Sequence, residues 1–208
     1  MDPTRPRLLT ASRAFAAALL VVLSFFPHTA AADTLVIKRP GAHPNYGFEA
    51  EPHALLGFID PPGHGHGNGF GFGFRGTVEL VDNGFVETIN NTVGVGFGVD
   101  YVHYSLGRRR CVAPVQGQLC TDEDDEFDVD NLWFPVVMQW NFFLSRNWSV
   151  FGEPGAALRY ESSEDDDASL KLEPLQFYAG GRYHFAEAMT LTLRAGYPTF
   201  SVGLSFLL

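Results

Sequence analysis

Apolar and polar residues alternate along most of the chain beyond residue 45, which is the pattern of β-strands with one apolar face. The C-terminal stretch 199–208 shows this alternation most clearly. Its apolar face carries Phe200, Val202, Leu204, Phe206 and Leu208, and its other face carries Thr199, Ser201, Gly203 and Ser205. No long helical periodicity follows the N-terminal region, so the sequence predicts an all-β protein.

Turn residues divide this alternating pattern into eight predicted strands. The strands cover residues 46–58, 70–80, 92–101, 132–144, 148–160, 175–185 and 189–208, the last range being split in two by a bend at Tyr197-Pro198. Pro135 and Pro154 fall inside predicted strands and lack a backbone N–H, so we expect a bulge or a strand end at each of them.

The predicted connections alternate between long and short. The long ones, 60–69, 105–131 and 161–174, are polar or charged, and the tight ones are 145–148 and 186–188. An up-and-down barrel places alternate connections at opposite ends, and outer-membrane barrels have long loops outside the cell and short turns in the periplasm. Two connections depart from this scheme. The connection 81–91 is long although it lies at the end that should carry short turns, and the link at Pro198 is short although it lies at the end that should carry long loops.

The composition of the polar face indicates which side of the sheet points outward. That face consists mostly of Gly, Ser and Thr with charges of both signs, which suits the narrow interior of an eight-stranded barrel. The other face is almost entirely aromatic or aliphatic, which suits contact with hydrocarbon. The sequence therefore predicts an eight-stranded antiparallel up-and-down transmembrane β-barrel with its small and ionic side chains inside.

The N-terminal region has the features of a secretory signal peptide. Arg5, Arg7 and Arg13 precede an apolar run at 14–26, and small residues follow at 30–32. The predicted organisation is a signal peptide at 1–32, an N-terminal periplasmic tail at 33–45 and an outer-membrane β-barrel at 46–208.

The charge balance limits the classes of partner. The chain has 14 basic and 24 acidic residues and a formal net charge of −10, which argues against nucleic-acid binding. The acidic runs 122–130 and 161–167 lack the spacing of a calcium loop. We interpret them as hydrated loops, with loose divalent-cation bridging to lipopolysaccharide as the alternative.

No cofactor or metal is expected from the sequence. His64 and His66, with His53 before them, lie in or near a Gly-rich loop and are interpreted as solvated rather than metal-binding. Cys111 and Cys120 are the only cysteines and belong to one predicted loop of an exported protein. An oxidising compartment favours a disulfide between them.

The C-terminal strand resembles the assembly signal of bacterial outer-membrane barrels through Ser201, Gly203, Phe206 and Leu208, although the last residue of that signal is commonly aromatic. The pattern of residues 46–208 is similar to small barrels of the OmpA/OmpX size class, and the segments 131–143 and 151–155 resemble uncharacterised barrels of this kind. The resemblance implies a monomer in the bacterial outer membrane, inserted by the barrel-assembly machinery and in contact with lipid and lipopolysaccharide.

Charged residues on the predicted inner face must pair with one another, since isolated charges are costly at low dielectric. The candidates are Glu49, Glu51, Arg75, Glu79, Asp100, Glu153, Arg159, Arg182 and Arg194, with His53 and His184 nearby. We interpret them as a structural plug of ion pairs. The alternative is a path for protons or small ions gated by rearranging pairs, similar to the proposal for the OmpA transmembrane domain.

One stretch suggests catalysis. His103 and Ser105 share the outward face, and their spacing is similar to that in the lipid A 3-O-deacylases, eight-stranded barrels whose His and Ser face outward. Asp130 has the same phase at the start of the next strand, which would complete a Ser-His-acid arrangement. An interfacial His without catalytic function is the alternative, as is a surface-binding barrel of the OmpX kind.

Overall fold

The computed structural model describes residues 34–58, 66–112, 121–163 and 168–208, so the predicted signal peptide at 1–32 lies outside the described residues. The described chain forms eight β-strands. They are β1 Phe48–Gly57, β2 His66–Val81, β3 Asn91–Val112, β4 Thr121–Phe143, β5 Trp148–Ser163, β6 Ser169–Ala186, β7 Met189–Gly196 and β8 Thr199–Leu207. No helix within the described ranges is long and apolar enough to cross a membrane.

The strands close into a ring in which each pairs antiparallel with the next in sequence. The ring is closed by β1 and β8, where His53 faces Gly203 and Leu56 faces Phe200. The predicted all-β, eight-stranded, antiparallel up-and-down barrel is therefore confirmed. Closure leaves no open sheet edge around the barrel wall.

The predicted long loop at 105–131 is wrong. β3 continues to Val112 and β4 begins at Thr121, so most of this segment is a paired hairpin. Its register places Arg108, Arg109 and Arg110 opposite Asp125, Asp124 and Glu123. Residues 108–112 and 121–126 are mostly charged and carry no apolar alternation, so the sequence pattern does not reveal these parts of the two strands. β6 also begins earlier than the predicted residue 175, at Ser169. Leu170 and Leu172 alternate there with Ser169, Lys171 and Glu173, so this part of the strand carries the pattern although the prediction placed it in a loop.

The two strand prolines do not end their strands, contrary to one part of the prediction. Pro135 pairs in register with Ala157, but the β3–β4 pairing is interrupted between Phe97 and Asp100, opposite the proline. Pro154 is followed by a register shift between β5 and β6 at Gly155/Ala157. A missing donor is therefore accommodated by a local gap in one ladder and a bulge in the other.

The polar face lines the interior and the apolar face forms the outer surface. Phe72, Val136 and Phe177 are 67%, 57% and 55% exposed, whereas Arg75, Glu153 and Arg194 on the inside are 2%, 0% and 2% exposed. This is the orientation that the composition of the two faces predicts.

The barrel wall has unequal height. β3 and β4 contain 22 and 23 residues, whereas β7 and β8 contain 8 and 9. The end that carries the β3–β4 hairpin is called the tall rim below. The opposite end carries the short turns 144–147 and 187–188, both chain ends of the barrel and the link 82–90, and is called the short-turn rim.

Candidate functional site

The interior of the barrel is organised around Arg194 on β7. Its guanidinium Nη1 and Nη2 donate to the two oxygens of Glu51 at 2.6 and 3.0 Å, and Nε donates to Glu153 Oε2 at 2.8 Å. Nη1 also lies 3.3 Å from Ser201 Oγ. One cation therefore joins carboxylates from β1 and β5 in the fork geometry that arginine provides.

Arg75 on β2 extends this network to the opposite wall. Its guanidinium donates to Glu153 Oε2 at 3.3 Å and to Asp100 Oδ2 at 3.2 Å. The other oxygen of Asp100 lies 2.9 Å from His53 Nε2. Asp100, Glu153 and Glu51 are thus linked in one chain of contacts across the bore.

A third arginine, Arg182, contacts polar side chains that lie nearer the short-turn rim. Arg182 Nη2 lies 2.9 Å from Glu49 Oε1, and Nη1 donates to Asn141 Oδ1 at 2.6 Å. The ring of Phe151 lies beneath the guanidinium groups of Arg182 and Arg194, with centroid distances of 4.4 and 5.3 Å. A cation over an aromatic face adds attraction that does not require another anion.

The network has nearly balanced charge. Arg75, Arg182 and Arg194 contact Glu49, Glu51, Asp100 and Glu153, and His53 lies between two of the carboxylates. Gln139, which donates to Glu153 Oε1 at 2.9 Å, and Asn141 complete it. These two amides lie on the face that the alternation places inside, so the sequence carried a signal for them.

Two of the predicted lumen charges stand apart from this network. Arg159 lies near the tall rim, where its guanidinium pairs with Glu161 at 3.4 Å and Glu173 at 3.1 Å and covers the ring of Trp133. Glu79 lies half-buried near the short-turn rim. Alternation predicted the face of both residues, but it does not determine their height along the barrel.

Above the ionic layer the bore is apolar, which the sequence analysis did not predict. The buried cluster consists of Leu55, Val102, Tyr104, Leu106, Phe127 and Val129. The ring of Tyr104 packs against the backbone of Gly57 and Gly69, where a Cβ atom would overlap it. The side chains from β1, β3 and β4 therefore fill the bore on the tall-rim side of the ion pairs.

The short-turn rim is covered by the segment 34–47, which the sequence analysis assigned mostly to a periplasmic tail. Val36 N donates to Leu144 O at 3.0 Å, and Ile37 O accepts from Asn90 N at 2.7 Å. The buried ring of His43 stacks on Phe143 at 4.9 Å with an interplanar angle of 22°. Tyr46 is also buried, and this burial raises the pKa of its hydroxyl. The segment makes a single strand-like bridge, Leu35 to Ser145, and adds no ninth strand.

Tyr101, His103, Ser105 and Asp130 form an outward-facing cluster on β3 and β4. This outward cluster lies toward the tall rim, at the end of the exposed apolar surface of these two strands. His103 Nδ1 lies 2.9 Å from Asp130 Oδ1, and the hydroxyl of Tyr101 donates to the same oxygen at 2.7 Å. His103 Nε2 lies 3.9 Å from Asp128 Oδ1. Ser105 is on the same face, opposite Asp128, but it makes no hydrogen bond to His103 in the described structure. The structure thus brings together the acid and the base, and leaves the hydroxyl apart from them.

The remaining predicted site residues are placed as follows. Cys120, His64 and the side chains of Cys111 and His66 lie outside the described residues, so the disulfide and the solvated histidines stay predictions. Ser201 and Gly203 face inward, whereas Leu208 is exposed and its carbonyl accepts from Gly47 N at 2.9 Å. Among the described side chains, no group of three or more His, Cys, Asp and Glu is placed to hold a metal ion.

Comparisons with known proteins give likeness to solved structures alone. No family model matches the chain, and no curated protein matches it. One similar structure is the crystal structure of Ail, the attachment invasion locus protein of Yersinia pestis, in complex with the heparin analogue sucrose octasulfate. Its sequence is 16% identical, the TM-score is 0.43, and the match covers 78% of this chain and 99% of that chain. Neisserial surface protein A is 14% identical with a TM-score of 0.46, covering 78% and 97%. At this similarity neither structure bears on the function of this chain.

Proposed function

We propose that this protein is an integral outer-membrane β-barrel that anchors surface-exposed loops and whose bore is closed to ions. The observation that carries the proposal is the inversion of polarity across the wall. Phe72 and Leu175 are 67% and 79% exposed on the outside, while Glu51 and Arg75 are 1% and 2% exposed on the inside. A water-soluble barrel has the opposite arrangement.

The outer surface supports a membrane environment on energetic grounds. Large apolar side chains from β2 to β8 are exposed around the wall, and a continuous apolar surface of this kind causes aggregation in water. Hydrocarbon is the solvent that such a surface requires, provided that no backbone N–H or C=O is left unpaired on it. Every strand of the closed ring has two neighbours, so most of the wall backbone is paired, and interruptions such as that between Phe97 and Asp100 are local.

Three layers support a closed bore. The segment 34–47 covers one end, the ion pairs around Arg194 cross the middle, and the apolar cluster around Tyr104 fills the tall-rim side. A hydrated ion crossing this bore would have to displace buried charges that already compensate each other, which costs several kcal/mol per ion. The plug interpretation is therefore favoured over the ion path gated by rearranging pairs.

The orientation follows from the connections. Outer-membrane barrels have short turns in the periplasm, so the short-turn rim and the segment 34–47 face the periplasm and the β3–β4 hairpin projects outside the cell. Export by the signal peptide at 1–32, insertion by the barrel-assembly machinery through β8, and a monomer in contact with lipid and lipopolysaccharide complete the proposal. The acidic net charge of −10 supports a role without nucleic acid.

Two measurements test the proposal. Membrane fractionation is expected to place the protein in the outer membrane, and the unboiled protein is expected to migrate differently from the boiled one on a gel. In planar bilayers the purified barrel is expected to show no conductance above that of the empty bilayer. A soluble periplasmic protein, or a barrel with steady ion conductance, would contradict the proposal.

A second candidate function is hydrolysis of a lipid A ester by the outward cluster. The observation that favours it is the contact between His103 Nδ1 and Asp130, which leaves Nε2 as the nitrogen available to activate Ser105. Mass spectrometry of lipid A from cells expressing the wild type, Ser105→Ala and Asp130→Asn is the test. A deacylated product that is present in the wild type and lost in both variants supports the enzyme, and unchanged lipid A in all three excludes it.

A further inference from the structure

The link 82–90 between β2 and β3 is longer than a periplasmic turn requires, and its course shows why. Gly84 N donates to Asn91 O at 2.9 Å, so the chain turns back on itself directly after β2. Phe85 then lies against the outer face of the wall, where its ring meets the outward-facing ring of Trp140 at 5.4 Å and 74°. The link thus lies along the outer face of the barrel wall at the short-turn rim.

Hydrogen bonds from the buried side chain of Asn91 hold this conformation. The side chain of Asn91, a residue with 0% exposure, donates from Nδ2 to the carbonyls of Val86 at 2.9 Å and Ile89 at 2.8 Å. Its Oδ1 accepts from Trp140 Nε1 at 2.9 Å. A Cβ at position 84 would overlap Asn91 Oδ1, so a glycine is required there. One amide therefore fixes both the link and the indole against which Phe85 packs.

The link presents an apolar edge that nothing in the described chain covers. Phe85 is 62% exposed and Val86 is 37% exposed, although hydrogen bonds from Asn91 hold the link. The apolar edge adjoins the outer face of the wall through Trp140, whose ring contacts both Phe85 and, at 4.7 Å, Phe142. Leu80, at the end of β2 before the link, is a further exposed apolar side chain with 62% exposure. Exposed Phe and other apolar side chains beside a polar surface enter the boundary between headgroups and acyl chains, and Trp, such as Trp140, favours the same level.

We propose that the link 82–90 is a preformed interfacial anchor that inserts Phe85 and Val86 into the periplasmic leaflet at the level of the lipid headgroups. The inference rests on the proposed membrane function, because it takes the outer belt to be in lipid. The occupant is phospholipid rather than a protein partner, since the ring of Phe85 contacts Trp140 on the outer face of β4, so the edge adjoins the exposed apolar surface of the wall.

Depth-dependent fluorescence quenching tests the anchor. The background variant carries Trp140→Phe, which keeps a ring beside position 85, and Trp148→Phe, while Trp133 stays because it is buried inside the bore. Phe85→Trp is added and the barrel is refolded into vesicles of phosphatidylcholine brominated at shallow or deep acyl positions. We expect marked quenching that is stronger with shallow bromines, because an interfacial side chain lies about 5–10 Å into the headgroup boundary.

Two matched variants separate the possible outcomes. Phe97→Trp, in the middle of the outer face of β3, is expected to be quenched most by deep bromines, and Asn83→Trp, on the same link but outside the apolar edge, is expected to be quenched least. Quenching at position 97 without quenching at 85 would overturn the anchor and leave the membrane proposal intact. Equal quenching at 83 and 85 would also overturn it, and absence of quenching at 97 would overturn the membrane proposal itself.

A second measurement leaves every native contact in place. 4-Fluorophenylalanine is introduced at position 85 of the wild-type chain, and the fluorine resonance is followed in vesicles with and without lipids that carry a paramagnetic headgroup. Strong broadening by the headgroup label supports the anchor. Broadening only by a water-soluble paramagnetic agent would place Phe85 in the periplasm and overturn it, even if the tryptophan variants failed to refold.

Discussion

Substitution of Arg194 by Met tests the idea that a single cation holds the centre of the barrel together. Arg194 is 2% exposed and donates to both Glu51 and Glu153. Methionine fills a similar length but removes the charge, so two buried carboxylates lose their shared partner. Arg75 still contacts Glu153, but Glu51 then keeps His53 and the hydroxyl of Ser205 and has no arginine in contact.

The expected loss of stability is large because an uncompensated charge stays buried. Removing one partner of a buried ion pair costs about 3–5 kcal/mol, and the value here should lie in the upper part of that range because two acids are affected. Arg159→Met is the matched control, since Arg159 pairs with Glu161 and Glu173 near the tall rim and its side chain is 15% exposed. Its loss should be about 1 kcal/mol, as is usual for pairs near solvent.

Urea unfolding of the refolded barrel in lipid vesicles, followed by tryptophan emission and by gel mobility, gives the free energy of unfolding. The double variant Arg194→Met/Glu51→Gln should recover part of the loss, because the neutral amide removes one uncompensated charge. Equal losses for Arg194→Met and Arg159→Met, or no recovery in the double variant, would refute the reasoning.

Three further predictions follow from the other layers of the barrel. Deletion of residues 34–44 removes the ring of His43, which stacks on the buried Phe143, so a cysteine introduced by Phe143→Cys should become reactive toward a water-soluble maleimide, while conductance stays absent because the ion pairs and the apolar cluster remain; an unreactive cysteine would contradict the covering role of the segment. Gly57→Ala should destabilise the barrel in urea unfolding because the new methyl overlaps the ring of Tyr104, and Tyr104→Ser should relieve that overlap, so additive losses would argue against the contact. Phe97→Lys on the outer face should cost about 2–4 kcal/mol in vesicles; a neutral result would mean that the outer face is not in hydrocarbon.

The sequence alone determined the number of strands, their closure into an up-and-down barrel and the face on which each charge lies. These properties depend on a period of two residues and on the exclusion of charge from hydrocarbon, and both are visible in a single chain. Glu51, Arg75 and Arg194 were therefore assigned to the interior without any knowledge of their contacts. The strand bounds were missed where charged residues interrupt the alternation, as in the register that places Arg109 opposite Asp124, and at the start of β6, where Leu170 and Leu172 still alternate with polar residues.

The tertiary structure decided which side chains meet. Arg194 and Glu51 are separated by 143 positions in the chain, and their contact depends on the tilt and stagger of strands around the ring, which alternation does not specify. The same limit explains why Arg159 was assigned to the central network and why the apolar layer around Tyr104 was missed. Alternation gives a residue's side of the wall, whereas its height in the barrel comes from the register of all eight strands together.

The course of the irregular segments was also decided only in three dimensions. The link 82–90 appeared as a misplaced long loop in the sequence, and its backbone direction depends on the buried amide of Asn91 and on Trp140, which belongs to a distant strand. The segment 33–45 was predicted to be a tail because it carries Pro40 and Pro44, yet Val36 and His43 find partners on the β4–β5 turn and at the end of β4. Segments without periodicity are positioned by contacts that form only once the barrel has closed, and no local pattern records them.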